Sequence, residues 1–192
     1  MTKTRMEAYS DGVVAIIITI MVLELKVPHE TDLHSLRPLI PVFLSYVMSF
    51  VFVGIYWSNH HHLLQVVQHV SGPVLWANLH LLFWLSLIPF VTAWMGENHF
   101  APWPVALYGT ILLGAAIAYF ILARSLVRLH GKESTLAAAL GADFKGKVSM
   151  VVCLVAIPLA FVHPLLACAL YISIALTWLI PDRRIEKKLP RD

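Results

Sequence analysis

The sequence predicts an all-α integral membrane protein with six transmembrane helices per chain, on two observations: long apolar runs and the placement of basic residues between them. Of its 192 residues, 59% are hydrophobic and only 13% are charged, with a mean hydropathy of +0.76. An ordinary soluble domain is about a quarter charged, and a chain this apolar would leave large patches exposed in water. Lipid is therefore the expected solvent. The sequence pI is near 9.0, but the basic residues lie between apolar runs rather than in one patch. They read as topology signals, and no nucleic-acid partner is expected.

Spanning the hydrocarbon core takes about 20 mostly apolar residues in a helix. The first candidate, about 7–25, is strictly apolar only from Gly12 to Leu23, so Tyr9, Ser10 and Asp11 enter the membrane with it. Lys3 and Arg5 ahead of an apolar stretch resemble a signal peptide. Asp11 interrupts the approach, however, Glu24 and Lys26 follow, and no small-x-small cleavage site occurs. A retained helix is expected. Pro38 to Trp57, Val74 to Trp94 and Pro104 to Ala123 meet the length criterion, for helices at about 38–58, 73–95 and 103–125. Val148 to Ile180 is apolar but broken by Pro158 and by His163-Pro164. As one helix it would measure about 50 Å, so two short helices, about 148–162 and 164–181, are expected instead. The Ala-rich piece Ser134 to Leu140 is a candidate short cytoplasmic helix capped by Ser134 or Thr135. The expectation is one transmembrane domain over 1–192, with no internal repeat.

The distribution of Lys and Arg tests the span count. Lys3, Arg5, Arg124, Arg128, Lys132, Lys145, Lys147, Arg183, Arg184, Lys187, Lys188 and Arg191 all fall on one side of six spans, leaving Lys26 and Arg37 on the other. The positive-inside rule then places both termini in the cytoplasm. An odd number of spans would split the basic clusters across the membrane.

Within the first helix, an ionisable residue at membrane depth makes Asp11 a functional-site candidate; the plainer alternative is an interfacial carboxylate wetted at the headgroups. At about 100° per residue, Ile16, Thr19, Ile20 and Leu23 form one stripe, with Ser10 and Asp11 well away from it. Spacing alone makes such a stripe a packing or lipid-facing surface. His60, His61 and His62, with His69 nearby, invite a metal reading. Consecutive helical residues diverge by about 100° each and cannot all reach one ion, so helix-end structure or pH-responsive hydrogen bonding is the better reading. No metal or cofactor is expected. Cys153 and Cys168 lie in apolar runs and read as buried small hydrophobes. Trp57, Trp76, Trp94 and Trp103 near segment ends suit an interfacial belt.

Arg5, Tyr9, Ser10, Asp11 and Gly12 resemble the Arg-x-x-x-Phe-Ser-Asp-Gly signature of the transmembrane protein 175 family, the lysosomal potassium channels and their bacterial relatives. Val13, Ala15, Ile16, Thr19, Leu23 and Glu24 continue the likeness. Trp57-Ser58-Asn59-His60-His61 is similar to the family's Trp-x-x-His-His, and Asn78, Leu82-Phe83 and Ile88-Pro89-Phe90 agree as well. The likeness is strong over the first half of the chain and rests on helix count beyond it. Tyr9 departs from the signature Phe but keeps the ring.

The resemblance implies a potassium-permeable cation channel in the cell inner (plasma) membrane, a homotetramer whose central pore is lined by the first helix of each subunit. It implies that Ile16, Ile20 and Leu23 form apolar constrictions and that Thr19 bears on potassium preference. Ser10 and Asp11 are then expected to hold the first helix through hydrogen bonds, with Asn78, His80 or the His60-His61 pair as partners. Arg5, on nearly the same face as Ile16, is expected either to pair with Glu7 or Asp11 or to mark an unwound helix start. No Thr-Val-Gly-Tyr-Gly filter is present, so a carbonyl cage of that kind is not expected. A coupled secondary transporter is the alternative, although such folds favour internal repeats and midplane charges. A membrane-embedded enzyme rests on the histidines alone, since no nucleophile–base pair supports it, and no enzymatic activity is expected.

Overall fold

Thr2 opens the first helix by accepting a hydrogen bond from the Arg5 backbone N–H at 3.4 Å, so α1 (Lys3–Leu23) begins earlier than its apolar run suggests. The computed structural model describes residues 2–131, 133–134, 136–137 and 143–179. After α1 comes a 3-10 segment, Leu33–Leu39, capped by Asp32, whose Oδ1 accepts from the Ser35 N–H at 3.0 Å. It runs directly into α2 (Ile40–Gln65). This helix passes the predicted end by two turns, because Leu63 and Leu64 are buried and no helix breaker intervenes before Gly72-Pro73.

The third span is divided into α3 (Gly72–Ser86) and α4 (Ile88–Glu97), with Leu87 as a turn between them. Pro89 explains the break: it has no N–H to give the Leu85 carbonyl, so the ladder lapses for one turn. The Leu87 N–H turns to the Trp84 carbonyl at 3.3 Å. Next, α5 (Pro102–His130) is the longest helix at 29 residues and ends at Gly131, whose φ of 91° suits only glycine readily. The last two are α6 (Phe144–Leu159) and α7 (Pro164–Leu179). The predicted end of the last helix at 181, the tail cluster from Arg183 to Arg191, Thr135 and most of the Ala-rich piece lie outside the described residues.

Among the described residues, four helical segments are long and apolar enough to cross a membrane: Lys3–Leu23, Leu33–Gln65, Gly72–Glu97 and Pro102–His130. The remaining two, α6 and α7, have 16 residues each. At 1.5 Å per residue they are about 24 Å long, short of a hydrocarbon core of about 30 Å.

Helix α1 packs on α2, α3 and α4; α5 packs on α3, α4 and α6; α7 closes against α6, α2 and α5. In lipid the hydrophobic effect does not drive helices together, so close packing and internal hydrogen bonds must do so. Both are visible. Ser49 of α2 lies 2.6 Å from the Thr92 hydroxyl of α4 and 3.1 Å from the Tyr108 hydroxyl of α5, all buried. The Tyr171 hydroxyl of α7 donates to the Val105 carbonyl of α5 at 3.3 Å. Cys153 and Cys168 are buried and free, as small apolar fillers.

Small residues let the backbones approach. At Gly114 on α5 the Trp84 indole of α3 occupies the space a Cβ would need, whereas a Cβ at Gly54 meets nothing within 4 Å. Gly114→Ala must therefore displace an indole and should cost about 1–3 kcal/mol. Gly54→Ala should be neutral or slightly stabilising, because Ala gains up to about 1 kcal/mol of helix propensity over Gly. Thermal melts of the two detergent-purified variants check both; equal melting temperatures would refute this packing of α3 on α5.

Candidate functional site

Helix α1 has two unlike faces. Met6, Ser10, Val14, Ile17 and Met21, spaced by four, four, three and four residues, are buried against the neighbouring helices. Ile16, Thr19, Ile20 and Leu23 lie roughly 140° around the helix from that face. They are bare: Ile16 is 58%, Ile20 42% and Leu23 79% exposed, and Thr19 is exposed as well. The Thr19 hydroxyl donates to the Ile16 carbonyl of its own helix at 2.8 Å. Its proton is thereby occupied, and its oxygen lone pairs remain available on the bare face.

What holds the other face is a directional chain of hydrogen bonds. Ser10 Oγ donates to the Met6 carbonyl one turn back at 2.8 Å. The same oxygen accepts from Asn78 Nδ2 of α3 at 3.0 Å. The Asn78 amide oxygen therefore faces His60 Nε2 of α2 at 2.7 Å, and the imidazole proton must sit on Nε2 to donate to it. Ser10, Asn78 and His60 are all buried. Three helices thus meet at one amide, and among the described residues no buried side-chain nitrogen or oxygen lacks a partner. Such a network is stabilising only when complete, since an unmatched polar group in low dielectric is costly.

Asp11, beside Ser10, points to the flank of this cluster and is exposed in the single chain. Its Oδ1 accepts from Trp57 Nε1 of α2 at 3.0 Å, and the Trp57 ring stacks on His61 with centroids 6.0 Å apart. Sequence reasoning grouped Trp57 with interfacial tryptophans and missed this role. Its position one turn before His60 could have revealed it, because residues three apart share a helix face.

The other expected partners lie elsewhere. His61 faces outward and pairs with Gln65 at 3.0 Å. His80 accepts from Trp84 Nε1 at 3.0 Å on its own helix, one turn on and away from α1. Among the described residues no group of three or more His, Cys, Asp or Glu could hold a metal ion. Arg5 is exposed within an intact helix, while Glu7 is 3.9 Å from Lys3 instead. Among the described residues the ion pairs are that one and Lys26–Glu97 at 2.6 Å, so Arg5 neither pairs with a carboxylate nor begins an unwound segment. The Lys26 pair joins the segment after α1 to the end of α4, and the Glu97 carboxylate holds the Lys26 ammonium above the usual lysine range.

Comparison with known proteins bears on this arrangement. The family model described as endosomal/lysosomal potassium channel TMEM175 matches residues 5–89, which include α1 from Arg5 onward and every residue of the network above. A potassium channel of Chryseobacterium sp. (strain P1-3) is 55% identical over 189 residues, covering 98% of both chains. The chain belongs to the TMEM175 family. The crystal structure of a lysosomal potassium-selective channel TMEM175 homolog from Chamaesiphon minutus superposes with a TM-score of 0.79 at 28% identity, covering 95% of this chain and 97% of the other. The endosomal/lysosomal proton channel TMEM175 of Mus musculus is 30% identical over 132 residues, 62% of this chain and 26% of its own. The six-helix unit described above is thus the fold of the bacterial TMEM175 homolog.

Asn78→Ala should leave the His60 N–H without an acceptor and cost about 1–3 kcal/mol. Trp57→Phe keeps a ring over His61 but removes the donor to Asp11. Being half exposed, that bond should cost no more than about 1 kcal/mol. If the two variants melt alike, the buried amide is not the principal anchor of α1.

Proposed function

We propose that the chain is one subunit of a homotetrameric potassium channel in the plasma membrane, with both termini in the cytoplasm and the four α1 helices lining a central pore. The observation that carries this reading is the two-faced α1: one side tied through Ser10 to Asn78 and His60, the other bare and lined with Ile16, Thr19, Ile20 and Leu23. On its open side, a bare apolar stripe on a firmly anchored helix meets either lipid or another copy of the chain. Cyclic symmetry supplies such a copy by placing identical residues in rings about an axis. The Chryseobacterium relative is a potassium channel, which agrees with conduction rather than catalysis.

In such a ring Ile16 is an apolar constriction that gates by dewetting, with Ile20 and Leu23 forming further apolar rings. Thr19 presents its oxygen lone pairs to a dehydrating cation, which gives a moderate preference for potassium. Arg5 shares the pore face but lies eleven residues before Ile16, about 16 Å along the helix. That exceeds the Debye length of about 8 Å at physiological ionic strength, so a wetted ring of guanidinium groups there is largely screened from the constriction. The break at Leu87 does not provide a transporter-type ion site. Between Gly72 and Gly96 the sequence carries no Asp, Glu, Lys or Arg, and Pro89 accounts for the break.

Potassium flux into liposomes containing the purified protein tests the assignment. Wild type should give passive flux driven by the potassium gradient alone. Ile16→Asn should increase it several-fold and lower the potassium-over-sodium ratio, because a polar ring holds water where an isoleucine ring expels it. Folded oligomer that carries no flux, with Ile16→Asn unchanged from wild type, would overturn the pore assignment. Flux requiring a second ion gradient would point to coupled transport.

A further inference from the structure

Away from α1, a cavity partly open to the outside lies between α2, α5, α6 and α7. Its walls include the rings of Phe52 and Tyr56 from α2, Tyr119 and Phe120 from α5 and Trp178 from α7, and one carboxylate, Asp143. Asp143 precedes α6 with φ of 44°, in the left-handed region that Asp tolerates better than most residues. Its Oδ1 caps the helix by accepting from the Gly146 N–H at 3.3 Å.

The hydrogen-bonding groups of the walls determine which charge the cavity suits. The Tyr56 hydroxyl donates to the Leu112 carbonyl at 3.4 Å and the Tyr119 hydroxyl to the Asn59 carbonyl at 3.2 Å. Trp178 Nε1 donates to Ser149 Oγ at 2.9 Å. These aromatic donors are all occupied, so an anion would find none of them free, whereas a cation finds aromatic rings and a carboxylate. Arg124 and Lys147 stand close enough to act on the Asp143 charge. Among the described residues neither forms an ion pair with it. Arg124 instead lays its guanidinium over the Phe120 ring, 5.0 Å from the centroid.

We propose that this cavity binds a small organic ammonium ion, with its charge between the Asp143 carboxylate and the rings of Tyr56, Tyr119, Phe120 and Trp178. The ion reaches it as a soluble amine or as the headgroup of an ammonium-bearing lipid. The chemistry recognised is the same in either case, and the site does not depend on how α1 helices assemble.

Calorimetric titration of the full chain in dodecyl maltoside tests this, with choline compared with its neutral isostere 3,3-dimethylbutan-1-ol. Choline should bind saturably, and the alcohol about tenfold or more weakly. Asp143→Asn, whose amide oxygen still caps the helix, should lose a similar factor while melting as wild type does. Arg124→Gln, which removes a cation acting on the Asp143 charge, should bind choline more tightly. Equal binding of the alcohol, an unchanged Asp143→Asn, or no binding to folded protein would overturn the proposal. So would binding that survives Asp143→Asn but disappears in Ile16→Asn, which would place the ion in the pore. In nanodiscs, weaker choline binding when phosphatidylethanolamine replaces phosphatidylglycerol identifies the occupant as a lipid headgroup. Unchanged binding identifies a soluble amine; either result supports the site.

Discussion

The rotation of α1 about its own axis is set by one buried amide. Asn78 can satisfy both ends of its side chain only if Ser10 faces α3 and His60 faces the same point from α2. In hydrocarbon, water cannot substitute for a missing partner, so every turn of α1 away from this register leaves polar groups uncompensated. Each hydrogen bond across helices contributes only about 0.6 kcal/mol on average, too little to hold a helix by itself. The register is firm because Met6, Val14, Ile17 and Met21 lie on the same side as Ser10 and are buried with it. Packing and hydrogen bonding therefore favour one orientation, and the opposite face is left bare as a consequence.

The same economy recurs farther from α1. Ser49, Thr92 and Tyr108 form a buried cluster where α2, α4 and α5 meet, and Gly114 admits the Trp84 ring where α3 meets α5. These contacts make the helices behind α1 a rigid support. The break at Leu87 fits this picture: Pro89 interrupts the ladder, and the next turn is secured by Thr92, whose hydroxyl donates to the Ile88 carbonyl at 2.7 Å. A freed backbone group at membrane depth is tolerated where protein surrounds it.

The two C-terminal helices differ in kind. Helices α6 and α7 are shorter than the bilayer core is thick, and they bury small residues, Ala156 and Ala167, against neighbours. Small side chains there bring backbones close in places and leave space between larger rings in others. The cavity beside Asp143 lies where the start of α6 faces Tyr119 and Phe120 of α5.

Helix number and order were legible in the sequence because lipid imposes a length and polarity rule on each segment separately. The stripe of Ile16, Thr19, Ile20 and Leu23 was equally legible, since helical periodicity is local. The partners were not. That Asp11 meets Trp57, that Asn78 rather than His80 reaches Ser10, and that His61 faces outward depend on the rotation and depth of α2 and α3 relative to α1. Those are set by contacts between residues as many as 68 positions apart. A helix's own sequence determines which residues share a face; only packing against the other helices decides which face each neighbour receives.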